Sequence, residues 1–251
     1  QCYRTQDDDF YCGVVSVAWA LSLLHDDQDD AAETLTRESL PLLRRKGDII
    51  HLALLLRIRG SLLGVAGENE AAERSHEEAR QLLIQQKNDL LAADIGAWDM
   101  GIAVLRAGDF ALARQRANRL LELAEEYGYV IGQGRAYCVL SAVALIEHDY
   151  ERSYAAALQA ERLLAHHVNL MYAETYAATA AAALGDFRSA RVRVKRMLPR
   201  AVQVDDQVLT CLLLPVAAVL LAHDAQHKRA AEVVTLALHH RASMGKWAEE
   251  V

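Results

Sequence analysis

Apolar residues along this 251-residue chain recur at helical spacing, in stretches broken by short polar or glycine-containing segments. Gly108-Asp109-Phe110 opens one copy of a longer pattern, and His148-Asp149-Tyr150 opens the next, 40 residues on. Gly185-Asp186-Phe187 follows after 37 residues, and a weaker copy, Gly67-Glu68-Asn69, lies 41 residues before Gly108. A small residue follows each start: Ala72, Ala113, Ser153 and Ala190. A second set of breaks falls halfway between: Gly47-Asp48, Asn88-Asp89, Gly128-Tyr129, Asn169 and Asp205-Asp206. Two interleaved turn signals sharing one period predict a helical hairpin repeated along the chain.

The breaks divide the chain into six expected hairpins. They pair Asp9–Leu24 with Ala31–Lys46, Ile49–Val65 with Glu70–Gln86, and Leu90–Ala107 with Phe110–Tyr127. Val130–Glu147 with Tyr150–His166, Leu170–Leu184 with Phe187–Leu198, and Gln207–Ala222 with Gln226–Ala242 complete the set. No long linker interrupts them, so residues 1–251 form one all-α solenoid domain on this reading. Pro41 and Pro215 fall inside expected helices, where a missing N–H predicts bends. Gly60, Gly101, Ser141 and Ala178 each stand seven residues before a turn, which predicts close helix contacts there.

Composition agrees with helix: 53% of residues are hydrophobic and only three are Pro. The formal charge is −7, with no basic stripe, which argues against direct nucleic-acid binding. The densest basic stretches are Arg44-Arg45-Lys46, at an expected helix C-terminus, and Arg188 to Arg200, an amphipathic helix whose cations form a solvated face or a local anion site. Cys2, Cys12, Cys138 and Cys211 form no CxxC pair and read as reduced thiols of a cytoplasmic protein. No apolar run is long enough to span a bilayer. The chain begins at Gln1 and ends inside a helical pattern, as a fragment of a longer regulator would.

No catalytic chemistry is legible. Adjacent histidines, His166-His167 and His239-His240, point about 100° apart on a helix and make poor joint metal ligands. HExxH, CxxC and phosphate-loop signatures are absent, so neither metal, cofactor nor enzymatic activity is expected. His76, beside Glu77-Glu78, reads as a solvated helix surface, and His51 as part of a helix cap.

The run Gly101…Gly108-Asp109-Phe110…Ala113…Ala117 resembles the tetratricopeptide (TPR) repeat, as does Ala178…Gly185-Asp186-Phe187…Ala190. Ser141…Asp149-Tyr150…Ser153…Ala157 departs by Ser for Ala, and Gly60…Gly67…Ala72…Ala79 lacks the Asp-aromatic pair. The period of about 40 exceeds the standard 34 of this repeat, which implies longer helices. Such long repeats, with Glu38-Ser39-Leu40…Leu42…Arg44…Gly47-Asp48 in the second helix, resemble the C-terminal sensor arms of large bacterial signal-transduction ATPases and helix-turn-helix transcriptional regulators.

The resemblance implies a right-handed superhelix whose first (A) helices line a concave groove. Family groove positions map onto Val14, Val17 and Leu21; Leu54, Arg57 and Ser61; Ile95, Trp98 and Ile102; Arg135, Cys138 and Ala142; and Tyr172, Thr175 and Thr179. Arg57, Trp98, Arg135 and Tyr172, with Ile95 and Thr175 beside them, are the candidate ligand residues, since arginine and aromatics anchor interfaces. The competing readings are a core role for Trp98 and intramolecular ion pairs for the two arginines. The implied function is a sensor or interaction arm of a cytoplasmic regulator, holding a protein, peptide or small effector. A purely structural or oligomerisation scaffold, self-associating through the solenoid ends, is the alternative.

Overall fold

The computed structural model describes residues 9–25, 28–203 and 207–241. Among them every regular element is helical: α1 (Asp9–His25), α2 (Asp29–Lys46), α3 (Ile49–Val65), α4 (Asn69–Gln85), α5 (Asp89–Asp94), a π-helical turn (Ile95–Asp99), and α6 (Gly101–Arg106). These are followed by α7 (Phe110–Glu126), α8 (Val130–Ile146), α9 (Tyr150–Leu163), α10 (Leu170–Ala183), α11 (Phe187–Gln203), α12 (Gln207–His223) and α13 (His227–Arg241). The chain forms two compact units, divided between Ala103 and Val104, inside α6.

The turns explain the period. A left-handed residue follows the end of most helices: Gly47, Gly67, Lys87, Gly108, Gly128, His148, Gly185 and Ala225. The first six lie 20 or 21 residues apart. Most of these turns carry a double bond pattern. Gly108 N–H donates to Leu105 O at 3.0 Å while Asp109 N–H reaches back to Val104 O at 3.2 Å, and His148 and Asp149 repeat it on Leu145 and Ala144. The next side chain then caps the following helix. Asp48, Asn88, Asp109, Asp149 and Asp186 each accept a hydrogen bond from the backbone N–H three residues on. Gly-Asp is therefore a helix stop and a helix start in adjacent residues.

Seventeen-residue helices between such turns alternate in character, as α3, α4, α7 and α8 show. Helix α8 is apolar on all sides and buries residues from Gly132 to Ile146. Helix α7 buries only Ala113, Ala117, Leu120, Leu123 and Ala124, a single stripe. The contacts follow from this. In the first unit α3 packs against α1, α2, α4 and the π-turn; in the second, α10 packs against α8, α9, α11 and α12. Each unit is thus an inner row of apolar helices with amphipathic helices laid along its outside, a TPR-like arrangement of hairpins. The first core gathers Leu43, Leu55, Leu56, Leu83 and Ile95; the second gathers Ala178, Val194, Met197, Leu209 and Leu213. Full burial of each such leucine contributes about 1.5–3 kcal/mol.

Small residues bring the two rows together. Ser141 Oγ donates to Ser153 O at 2.9 Å, and Ser75 Oγ to Leu56 O at 2.9 Å. A Cβ at Gly60 would stand 2.3 Å from the His76 ring. Helices run on through Pro41 and Pro215, and α11 continues through Pro199 to Gln203, past its expected end at Leu198. Pro41 and Pro199 are exposed, as are Arg37 and Lys195 four residues earlier, so the carbonyls they leave unbonded meet water.

The left-handed positions make a direct prediction. Lys87 (φ 56°) and Ala225 (φ 58°) hold side chains where only glycine is unstrained. Lys87→Gly and Ala225→Gly should each raise unfolding free energy by up to about 1 kcal/mol, and Gly108→Ala should lower it similarly. Urea midpoints measure all three.

Candidate functional site

The expected helix Leu90–Ala107 is interrupted by the π-turn, where Met100 N–H donates to Ile95 O at 3.0 Å. In an α-helix, residues five apart point about 140° away from each other. The wider turn narrows that angle, and Asp94 and Asp99 both reach Arg57 on α3. Arg57 Nη1 lies 3.1 Å from Asp94 Oδ2, and Arg57 Nε lies 2.7 Å from Asp99 Oδ2. The Asp94 side chain is fully buried, and those of Asp99 and Arg57 are 10% and 17% exposed. The guanidinium thus faces two carboxylates of its own unit, the intramolecular ion pairing that competes with a ligand role. Trp98, half-buried, sits on the π-turn between those carboxylates.

His76 corrects another expectation. It is 6% exposed, packs on Gly60, and its Nε2 lies 3.2 Å from Arg57 O. The neighbouring Glu77-Glu78 suggested solvent, but Gly60 opposite leaves a ring-sized space that takes the imidazole in. Burial lowers its pKa; Asp99, the Arg57 carbonyl and Glu73 oppose that shift, and the Arg57 charge adds to it. His51 does join a cap, as expected: Nδ1 lies 2.7 Å from Asp48 Oδ2, while its N–H is bonded by Asp48 Oδ1.

Ile95 and Thr175 have no exposed surface and belong to the core. Both stand at family groove positions, on elements that neighbours cover on several sides. Cys138 is equally buried, and burial pushes its thiol well above the usual range; Cys211 is a second free buried thiol. Cys2, and the side chains of Cys12 and Ile102, lie outside the described residues. Arg135 on α8 is half-buried, with Nη1 3.5 Å from Tyr129 Oη. Tyr172 is half-buried on α10, which packs against α8. Of the expected ligand residues, the structure thus leaves Trp98 in the first unit, and Arg135 and Tyr172 in the second, with surface to offer.

Two buried carboxylates, Asp94 and Glu174, stand outside the residues expected from the sequence. Asp94 was one of a pair five residues apart in an apolar stretch. Glu174 is the one charged residue in Leu170–Ala183, and that isolation was the available signal. Its carboxylate meets Arg196 at 2.6 Å, and burial raises its pKa against the pull of Arg196.

No family model matches the chain, and no curated protein does. Among solved structures, a tetratricopeptide repeat protein from Parabacteroides merdae matches over 93% of each chain, at 14% identity and a TM-score of 0.45.

Removing Arg57 strands two buried carboxylates, so Arg57→Leu should destabilise by about 3–5 kcal/mol, read as a urea midpoint. His76 supplies a pH test. A lowered folded pKa means the unfolded chain takes the proton first, so stability is full above about 6.5 and is lost as pH falls below it. Melting temperatures across that range should fall more steeply for the native chain than for His76→Gln.

Proposed function

We propose that this chain is a binding scaffold, the sensor or interaction arm of a cytoplasmic bacterial signalling or transcriptional regulator. It holds a protein segment, peptide or small effector against its inner helices. The observation that carries the reading is the partial exposure of Trp98 on the π-turn of the first unit, and of Arg135 and Tyr172 on the inner helices α8 and α10 of the second. Aromatic and arginine side chains held by a rigid apolar row lose little entropy on binding and tend to dominate interface energy. The long-repeat resemblance supports the regulator context.

Exposed apolar side chains on α1 and α13, Trp19, Leu21, Leu236 and Leu238, favour a second reading, a scaffold that assembles through its ends. The two are separable in the full-length parent. Trp98→Ala, and Arg135→Ala combined with Tyr172→Ala, should each weaken effector or partner response by about tenfold or more. Native mass spectrometry should show the subunit count unchanged. Intact response with a changed subunit count in Trp19→Glu/Leu21→Glu would favour assembly instead.

A further inference from the structure

Helix α11 carries six cationic residues, Arg188, Arg191, Arg193, Lys195, Arg196 and Arg200, and no acidic one, in a chain of net charge −7. Three are neutralised by flanking elements. Arg191 pairs with Asp224, Nη2 to Oδ1 at 2.7 Å; Arg193 meets Glu161 at 2.7 Å; and Arg196 meets Glu174. The bonds hold those side chains along the flanks of the helix. Arg188, Lys195 and Arg200 are exposed and make no such pair with any described residue. Among the described residues, and counting the N-cap Asp186, the six cations face four carboxylates, which leaves a positive strip on an acidic protein.

The strip is not purely polar. Val192 and Val202 are 58% and 62% exposed, and Pro199 is exposed with them. At helical spacing, Arg188, Val192, Lys195, Pro199 and Val202 fall on one face. Cations alternating with apolar side chains on one rigid face suit a partner with the reverse charge and the same spacing.

We infer that the solvent face of α11 docks an acidic amphipathic helix of a partner protein, with carboxylates on Arg188 and Lys195 and aliphatic side chains on Val192 and Val202. Charge complementarity selects this occupant. A polyanion would gain from the cations and nothing from the valines. The face lies on an outer helix, so it is independent of the inner residues Trp98, Arg135 and Tyr172.

The test uses the full chain and a fluorescein-labelled peptide as long as α11 (17 residues), with glutamates and leucines spaced to meet those four side chains. Anisotropy should show saturable binding that weakens with salt. Arg188→Glu/Lys195→Glu should reduce affinity about tenfold or more, as should replacing the peptide's glutamates by glutamine. The control Arg37→Glu/Arg45→Glu changes net charge equally at exposed sites of the other unit and should leave binding nearly unchanged. Val192→Ser/Val202→Ser should weaken binding while leaving charge alone. Four results would overturn the inference: no peptide binding, equal losses in the control, indifference to the valines, or stronger charge-dependent binding to phosphatidylserine vesicles or a DNA duplex.

Discussion

The left-handed turn residue sets the geometry of everything else. With its N–H bonded back to the closing helix, the chain reverses in a few residues, and an Asp or Asn immediately afterwards caps the next helix. Helices of near-constant length follow, so a given position on the first helix of a hairpin meets a fixed position on the second. That register places Gly60 opposite His76 and Ser141 opposite Ser153. Where the left-handed residue is absent, the pattern shifts. Between α9 and α10 the fully buried Leu164 is followed by an irregular turn in which Asn169 N–H donates to His167 Nδ1.

Constant length also separates two kinds of helix. The inner helices are covered by neighbours on several sides and bury charge where a partner arrives from a neighbouring element. Arg57 with Asp94 and Asp99, and Glu174 with Arg196, are such cases. Buried pairs of this kind contribute little net stability, because desolvation offsets attraction, but losing one partner is costly. They therefore penalise any misaligned stacking more than they strengthen the correct one. The outer helices bear the opposite constraint: one stripe is buried and the rest is free to vary in charge, which is how α11 comes to carry six cations and no acidic residue.

Most of the fold was legible because its signals are local. Gly-Asp pairs announce the turns, and apolar spacing announces the helices, so the boundaries of α3, α7 and α8 agree with expectation to within a residue or two. Non-local features were not legible. The π-turn depends on Asp94 and Asp99 finding Arg57 nearly forty residues earlier, and nothing within Leu90–Ala107 announces that partner. His76 looked solvent-facing beside its acidic neighbours because the space it fills is made by Gly60 on another helix. The candidate site divided on the same line. Family position identified the inner helices, but exposure on them is decided by neighbours, which leaves Ile95 and Thr175 in the core and Trp98, Arg135 and Tyr172 with surface.

The turn geometry is open to direct measurement through amide hydrogen exchange, resolved by NMR on the whole chain. The amides of Asp109, Asp149 and Asp186 stand outside any helix, yet each is bonded back to the preceding one at 3.2, 2.9 and 2.8 Å. The account predicts that they exchange slowly, with protection comparable to the interiors of α8 and α10. Exchange at the rate of an unstructured chain at those three amides, beside protected helices, would contradict it.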